Sequence, residues 1–242
     1  MNLIIDIGNT QAKLAVFEGN KMLFRIQVDA ENIFKKIKEI QENYQNIQKA
    51  IVSSVGKLDK NSFETLKKDF QLLILDHETP LPFKNLYSTP KTLGIDRIAL
   101  VCASVEKYSN KNVLIIDAGT CITYDFITVD NHYLGGAISP GLRMRYKALH
   151  NQTAKLPLLT SKEPEALIGD STESAMHSGV FNGVVFEIDG NIEAYRKKNN
   201  DLTVILTGGD AKMLSKQLKS SIFANSNFLL EGLNFILQFN TN

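Results

Sequence analysis

The chain has 242 residues, with 27 lysines and arginines against 26 acidic residues, a net charge of +1 and 43% hydrophobic content. This is the balance of a globular protein with ample core, and without a basic stripe interleaved with aromatics it argues against a nucleic-acid partner. No apolar run approaches the ~20 residues of a membrane span, and Asp6 interrupts the first apolar run, which excludes a signal peptide of ordinary pattern.

Leu3, Ile4, Ile5 and Ile7 surround Asp6, as in a strand buried on both faces. A carboxylate at the end of such a strand is costly to bury unless it is paired, hydrogen-bonded or placed beside a cation. Gly8 permits close backbone approach, Asn9 and Thr10 bring short polar groups, and Lys13 follows where a second strand begins. Two readings stand for this stretch. In one, it cradles a metal-bound nucleotide phosphate; in the other, Asp6 caps a plain turn between two strands.

The second strand covers residues 14–17, a hairpin turn residues 18–21 and the third strand residues 22–28. Ile33, Phe34, Ile37, Ile40, Tyr44 and Ile47 mark one face of a helix. A buried strand over residues 50–55 leads to Gly56-Lys57. This is no P-loop, because Ile51 takes the place of its first glycine and Leu58 that of its Ser/Thr. Phe63, Leu66 and Phe70 point inward from a short helix, and a strand follows at residues 72–75. Residues 80–90 are turn-rich, an exposed loop suited to lie over a site. Gly94-Ile95-Asp96-Arg97 opens a helix to about Tyr108. Asp96 in its first turn complements the helix dipole, or serves a site.

The second half repeats this order. Residues 113–117 form a buried strand ending in Asp117, followed by Ala118, Gly119 and Thr120, so the two acidic strand-turns lie 111 positions apart. Strands follow at residues 122–129 and from Tyr133 through Gly135-Gly136. Ser139 and Pro140 read as the N-cap and first residue of a helix over residues 141–150. Residues 153–165 read as a mobile connection, and Asp170-Ser171-Thr172-Glu173 as the capping box of one long helix to about Lys198. Gly179 and Gly183, four apart on that helix, suit close approach of another backbone, within the chain or at an interface. A strand over residues 203–207 ends in Gly208-Gly209-Asp210. A helix from Ala211, a short strand at residues 222–224 and a final amphipathic helix carrying Leu229, Leu230, Leu233, Ile236 and Leu237 complete the chain. Cys102 and Cys121 lie in apolar segments, as reduced thiols of a cytoplasmic protein do. His77, His132, His150 and His177 lack metal-ligand spacing and read as surface or polar-contact residues.

Two halves that each open on an acidic strand-turn describe an α/β fold of two duplicated ribonuclease H-like domains (βββαβαβα). They span residues 1–110 and 111–242 around a nucleotide cleft. The pattern resembles the superfamily of actin, sugar kinases and heat-shock-chaperone ATPases, in which both strand-turns grip nucleotide phosphates and a C-terminal Gly-Gly turn, here Gly208-Gly209, contacts adenosine. Within it, five motifs in order resemble type III pantothenate kinases: residues 6–10 with Lys13, residues 94–97, residues 117–120, Gly135-Gly136 with Pro140-Gly141, and Asp170-Ser171-Thr172.

The resemblance implies ATP-dependent phosphorylation of pantothenate, the entry to coenzyme A. It implies that Asp6, Ile7, Gly8, Asn9, Thr10, Gln11, Ala12 and Lys13 hold ATP, with Asp6 on the magnesium side, and that Thr120 grips the phosphates from the second half. Asp96 is then the base, and Tyr87, Gly94, Ile95, Arg97 and Thr172 line the pantothenate pocket with it. It further implies that Asp117 binds a monovalent cation, potassium or ammonium, and that the chain is a homodimer. Three rivals share parts of the pattern. A sugar or acetate kinase would lack the set at residues 94–97. A ribonuclease H-like nuclease would cluster acids on one basic domain. A non-enzymatic regulator descended from the family would have no need of Asp6 and Asp96.

Overall fold

The apolar run at the N-terminus becomes β1 (Asn2–Ile7), whose Leu3, Ile4 and Ile5 are fully buried. The structure, a computed structural model, describes residues 1–8, 11–54, 60–199 and 201–241. After β1 come β2 (Gln11–Glu18), β3 (Lys21–Asp29), α1 (Ile33–Asn43), β4 (Lys49–Ser54), α2 (Lys60–Asp69), β5 (Gln71–Ile74), the two-residue β6 (Lys84–Asn85) and α3 (Ile95–Lys107). The first five strands form one sheet in the order β3-β2-β1-β4-β5. In it β1 runs antiparallel to β2 and parallel to β4, which places Asp6 between Lys13 and Ser53 in register. One face of this sheet packs Leu3, Ile5 and Ile7 with Ile33, Ile37 and Ile40 of α1 and Leu66 of α2. The helix from Ile33 ends at Asn43, short of the expected stripe, yet Ile47 beyond it remains buried.

The same plan recurs in β7 (Asn112–Ala118), β8 (Cys121–Ile127), β9 (His132–Pro140), α4 (Leu142–Asn151), α5 (Thr172–His177), α6 (Gly183–Lys198), β10 (Leu202–Thr207), α7 (Ala211–Leu214) and β11 (Phe223–Ala224). Their order β9-β8-β7-β10-β11 matches that of the first sheet, with the same alternation of antiparallel and parallel pairs. The fold is therefore a duplication of one ribonuclease H-like plan. Leu114 and Ile116 of β7 pack with Tyr146 of α4 and Val184 and Ile188 of α6 in the second core.

The chain divides into two compact units, Met1–Lys107 with Asn227–Asn242, and Tyr108–Ser226. The final helix α8 (Phe228–Thr241) therefore belongs with the N-terminal unit, whereas a division at residue 110 assigns it to the C-terminal one. Gly232 explains the attachment: a side chain there would overlap the backbone of Ala99 in α3, so the two helices meet backbone to backbone.

Four local expectations change. Ser139 and Pro140 do not start a helix; they end β9, where Pro140 pairs with Cys121, and Gly141 is the N-cap of α4. The capping box of α5 uses Ser171 and Ser174, while Asp170 accepts a hydrogen bond from the Ser174 hydroxyl at 3.1 Å. The long helix is broken by a π-helical turn, Ser178–Asn182, between α5 and α6. The connection through residues 153–165 is tied down, with Leu156 and Leu159 packed against the second core and the Leu156 carbonyl bonded to His150 Nδ1 at 2.8 Å.

Candidate active site

In the N-terminal unit the site grows from the carboxyl end of β1. Asp6 is 7% exposed and faces Lys13, whose Nζ lies 3.9 Å from Oδ2. Burial pushes the Asp6 carboxyl up to about 6; Lys13 opposes the shift, the nearby Asp96 charge adds to it, and a hydrogen bond from Ser53 opposes it. Asp96 thus stands within electrostatic reach of Asp6 although 90 residues separate them in sequence. A desolvated carboxylate with a second negative charge in reach, as Asp6 is, is one whose ionised form a divalent cation relieves. Among the described residues no group of three or more His, Cys, Asp or Glu is assembled to hold a metal alone. That fits magnesium, which takes one or two carboxylates and completes its shell with substrate phosphates and water.

The rest of this unit's set falls around the start of α3. Asp96 Oδ1 accepts from the Arg97 backbone N–H at 2.9 Å. A side chain at Gly94 would meet that carboxylate oxygen, so glycine is required for Asp96 to sit as it does. Arg97 is buried, with its guanidinium carbon 5.6 Å from the centre of the Tyr87 ring, a cation–π contact joining two of the expected pocket residues. Ile95 is half-buried beside them. His77 supports the approach to α3 through Nε2, 2.8 Å from the Leu93 carbonyl oxygen. It is a positioning contact that sequence spacing could not reveal.

The residues after Asp6 divide. Ile7 and Ala12 point into the core, so only their backbone groups can face a ligand, and Gln11 is exposed and accepts from Gln27. The Gly8 amide is turned to the Gln11 carbonyl at 3.1 Å, closing the turn. Asn9 and Thr10 lie outside the described residues.

In the C-terminal unit three turns gather at the carboxyl ends of β7 and β10, the end of parallel strands where α/β sheets bind ligands. The first holds Gly119 and Thr120, with the Thr120 side chain exposed. Gly141 donates to the Thr120 carbonyl at 3.1 Å, bringing the second turn against the first. The third, Gly208-Gly209-Asp210, folds onto them: Gly208 has φ of +97°, a side chain there would strike the Asp117 carboxylate, and Asp210 N–H donates to the Ala118 carbonyl at 3.0 Å. Beside Asp210 opens a cavity of about 530 Å³ lined by Arg143, Lys147, Leu158, Leu159, Ser161 and Met213. Burial raises the Asp210 carboxyl, and Arg143 opposes the shift. The Gly-Gly turn is visible in the sequence but this lining is not, because its residues come from α4, α7 and an irregular segment with no shared spacing. Thr172 begins α5, exposed, directly after the Ser171 N-cap.

Comparison with known proteins identifies the family. The sequence model of the type III pantothenate kinase family matches residues 2–194. A type III pantothenate kinase of Christiangramia forsetii is 58% identical over 240 residues, covering 99% of each chain. Among solved structures, a Campylobacter jejuni protein described as a Baf family transcriptional activator is similar with a TM-score of 0.63 at 24% identity, covering 98% of each chain. A glucokinase from an Antarctic psychrotroph is similar with a TM-score of 0.55 at 11% identity, covering 98% of each chain. At such identities these two structures speak for the fold alone.

Proposed function

The chain belongs to the type III pantothenate kinase family, and we propose that it transfers the γ-phosphoryl group of ATP to the primary hydroxyl of pantothenate, the first step towards coenzyme A, with Asp96 as the base. As a kinase of this family it uses ATP and a divalent metal on a small-molecule substrate. The observation that carries the assignment of roles is the placement of Asp96 within electrostatic reach of the buried Asp6 in one unit.

Asp6 would hold magnesium together with phosphate oxygens, and when bound the cation neutralises charge developing on the transferred group. Lys13 meets the phosphates with its ammonium group and Thr120 with its hydroxyl. Asp96 accepts the proton of the attacking hydroxyl and fixes its direction; in a loose phosphoryl-transfer transition state that positioning matters more than proton removal. Arg97 supplies a cation for the pantothenate carboxylate and is held over Tyr87. Gly94, Ile95 and Thr172 complete the substrate contacts. The cavity beside Gly208-Gly209-Asp210 is of a size and mixed character that suit the adenosine end of ATP. Asp117, packed against Gly208, is the ligand for potassium or ammonium. The protein acts in the cytoplasm as a homodimer. Support for a dimer comes from Gly179, which has open space around it, and Phe186, which is 58% exposed, whereas Gly183 lies against the Arg145 side chain of the same chain. No described helix is long and apolar enough to cross a membrane.

Asp96→Asn tests the central role. It keeps the shape and much of the hydrogen bonding at the start of α3 but removes the proton acceptor. Turnover should fall by about 10²–10⁴-fold while ADP affinity and melting temperature stay near the parent's. An acid that only complements the helix dipole gives a stability loss of about 1 kcal/mol or less with turnover intact, and that result would overturn the assignment.

A further inference from the structure

Behind the turn of Gly119 and Thr120 lies a polar cluster that none of the roles above uses. Glu187, in the second turn of α6, receives three donors: the Tyr124 hydroxyl at 2.9 Å, the Ser139 hydroxyl at 3.0 Å and the Arg145 guanidinium. Arg145, on α4, donates from Nη2 to Ser139 Oγ at 3.0 Å and from Nε to the Pro140 carbonyl at 2.9 Å. Both partners of the ion pair are about three-quarters buried, with side chains 23% and 25% exposed. Burial works against ionised Glu187, but the donors from Arg145, Tyr124 and Ser139 outweigh it and leave its carboxyl below the usual range. The pair therefore stays charged and fixed at neutral pH.

What the cluster fixes is the end of β9. Pro140 pairs with Cys121 across the sheet, and Gly141 donates to the Thr120 carbonyl. A side chain at Gly141 would overlap the Gly119 and Thr120 carbonyls, so the two turns are in direct backbone contact. From Glu187 the path is short: guanidinium, Pro140 carbonyl, Gly141 amide, Thr120 carbonyl. Surface packing alone would not need so many convergent donors on one carboxylate.

We propose that Arg145 and Glu187 are positioning residues for nucleotide binding, which hold the Gly119-Thr120 turn in the geometry that meets the phosphates of ATP. The proposal rests on the assignment of Thr120 to phosphate binding. Arg145 has two separable tasks. A lysine can keep the ion pair with Glu187, but it has no Nε–H to give to the Pro140 carbonyl while doing so.

Arg145→Lys, Glu187→Gln and Thr120→Ala, compared with the parent, test this. ADP affinity by calorimetry, KM for ATP, KM for pantothenate and melting temperature would be measured for each. Arg145→Lys should melt close to the parent yet bind ADP about 10-fold more weakly and show an ATP KM raised to match, with pantothenate KM unchanged. Glu187→Gln should show the same split between the two KM values, whatever its stability. Weaker ADP binding in Thr120→Ala with parental affinity in both other variants would overturn the positioning role alone. Parental ADP affinity in all three would overturn the Thr120 assignment and the proposal with it. A lowered melting temperature with both KM values at parental levels would reduce the cluster to a structural tie, and would equally overturn it.

Discussion

Burial, opposed by Lys13 and reinforced by Asp96, leaves the Asp6 carboxyl at about 6 against an ordinary 3.8. Between those values the folded chain keeps a proton that the unfolded chain has released. The stabilising contribution is thus complete below pH 3.8 and is lost as pH rises through about 6. Above that range ionised Asp6 costs on the order of 3 kcal/mol in the protein free of nucleotide and metal. Asp6→Asn should therefore stabilise the free protein at pH 8, with the gain shrinking towards pH 4, while productive use of Mg-ATP weakens. Urea melts at pH 4, 6 and 8 read the first effect and turnover at limiting magnesium the second. Parallel stability curves for parent and variant, or unchanged turnover, would contradict the role given to Asp6. A lone acid among Leu3, Ile4, Ile5 and Ile7 carries a tension that an exposed carboxylate lacks, which is why Asp6 stands out in the sequence alone. Its coupling to Asp96 does not, because nothing in the chain between them brings the two together.

At the scale of elements, the strands could be read because β1, β7 and β10 are buried on both faces and so appear as unbroken apolar runs. Caps and breaks could not. Pro140 has good chemistry for a first helical position, but β8 offers its edge through Cys121, and the strand pairing extends β9 to that residue. Ser171 with Ser174 replaces the expected Asp170 and Glu173 because a serine can both donate and accept across the box. Gly232 and Gly190 are both glycines inside helices, yet their surroundings predict opposite outcomes. A methyl group at Gly232 would be forced against the Ala99 carbonyl, its carbon 2.8 Å away, so Gly232→Ala should cost about 3 kcal/mol as α8 is pushed off α3. Gly190 has open space around it, so Gly190→Ala should gain up to about 1 kcal/mol from helix propensity. Equal shifts in melting temperature for the two variants would contradict the packing described for α8.

For the whole molecule, duplication was legible from two acidic strand-turns 111 residues apart, and the matching strand orders of the two sheets bear it out. The return of α8 to the N-terminal unit was not legible, since its apolar stripe would suit either core and only the close approach at Gly232 decides. Assembly depends on a surface rather than a core. If Phe186 and Gly179 meet a second copy, light scattering should give twice 27.0 kDa for the parent and a monomer for Phe186→Glu. A monomeric parent, or an unaltered dimer in the variant, would contradict that interface. The most direct measurement of what this protein does is the initial rate of ATP-dependent phosphorylation on pantothenate, glucose and acetate side by side, with potassium and with sodium. Transfer to pantothenate alone, faster with potassium, is the expected result; transfer to glucose or acetate with none to pantothenate would contradict the assigned activity.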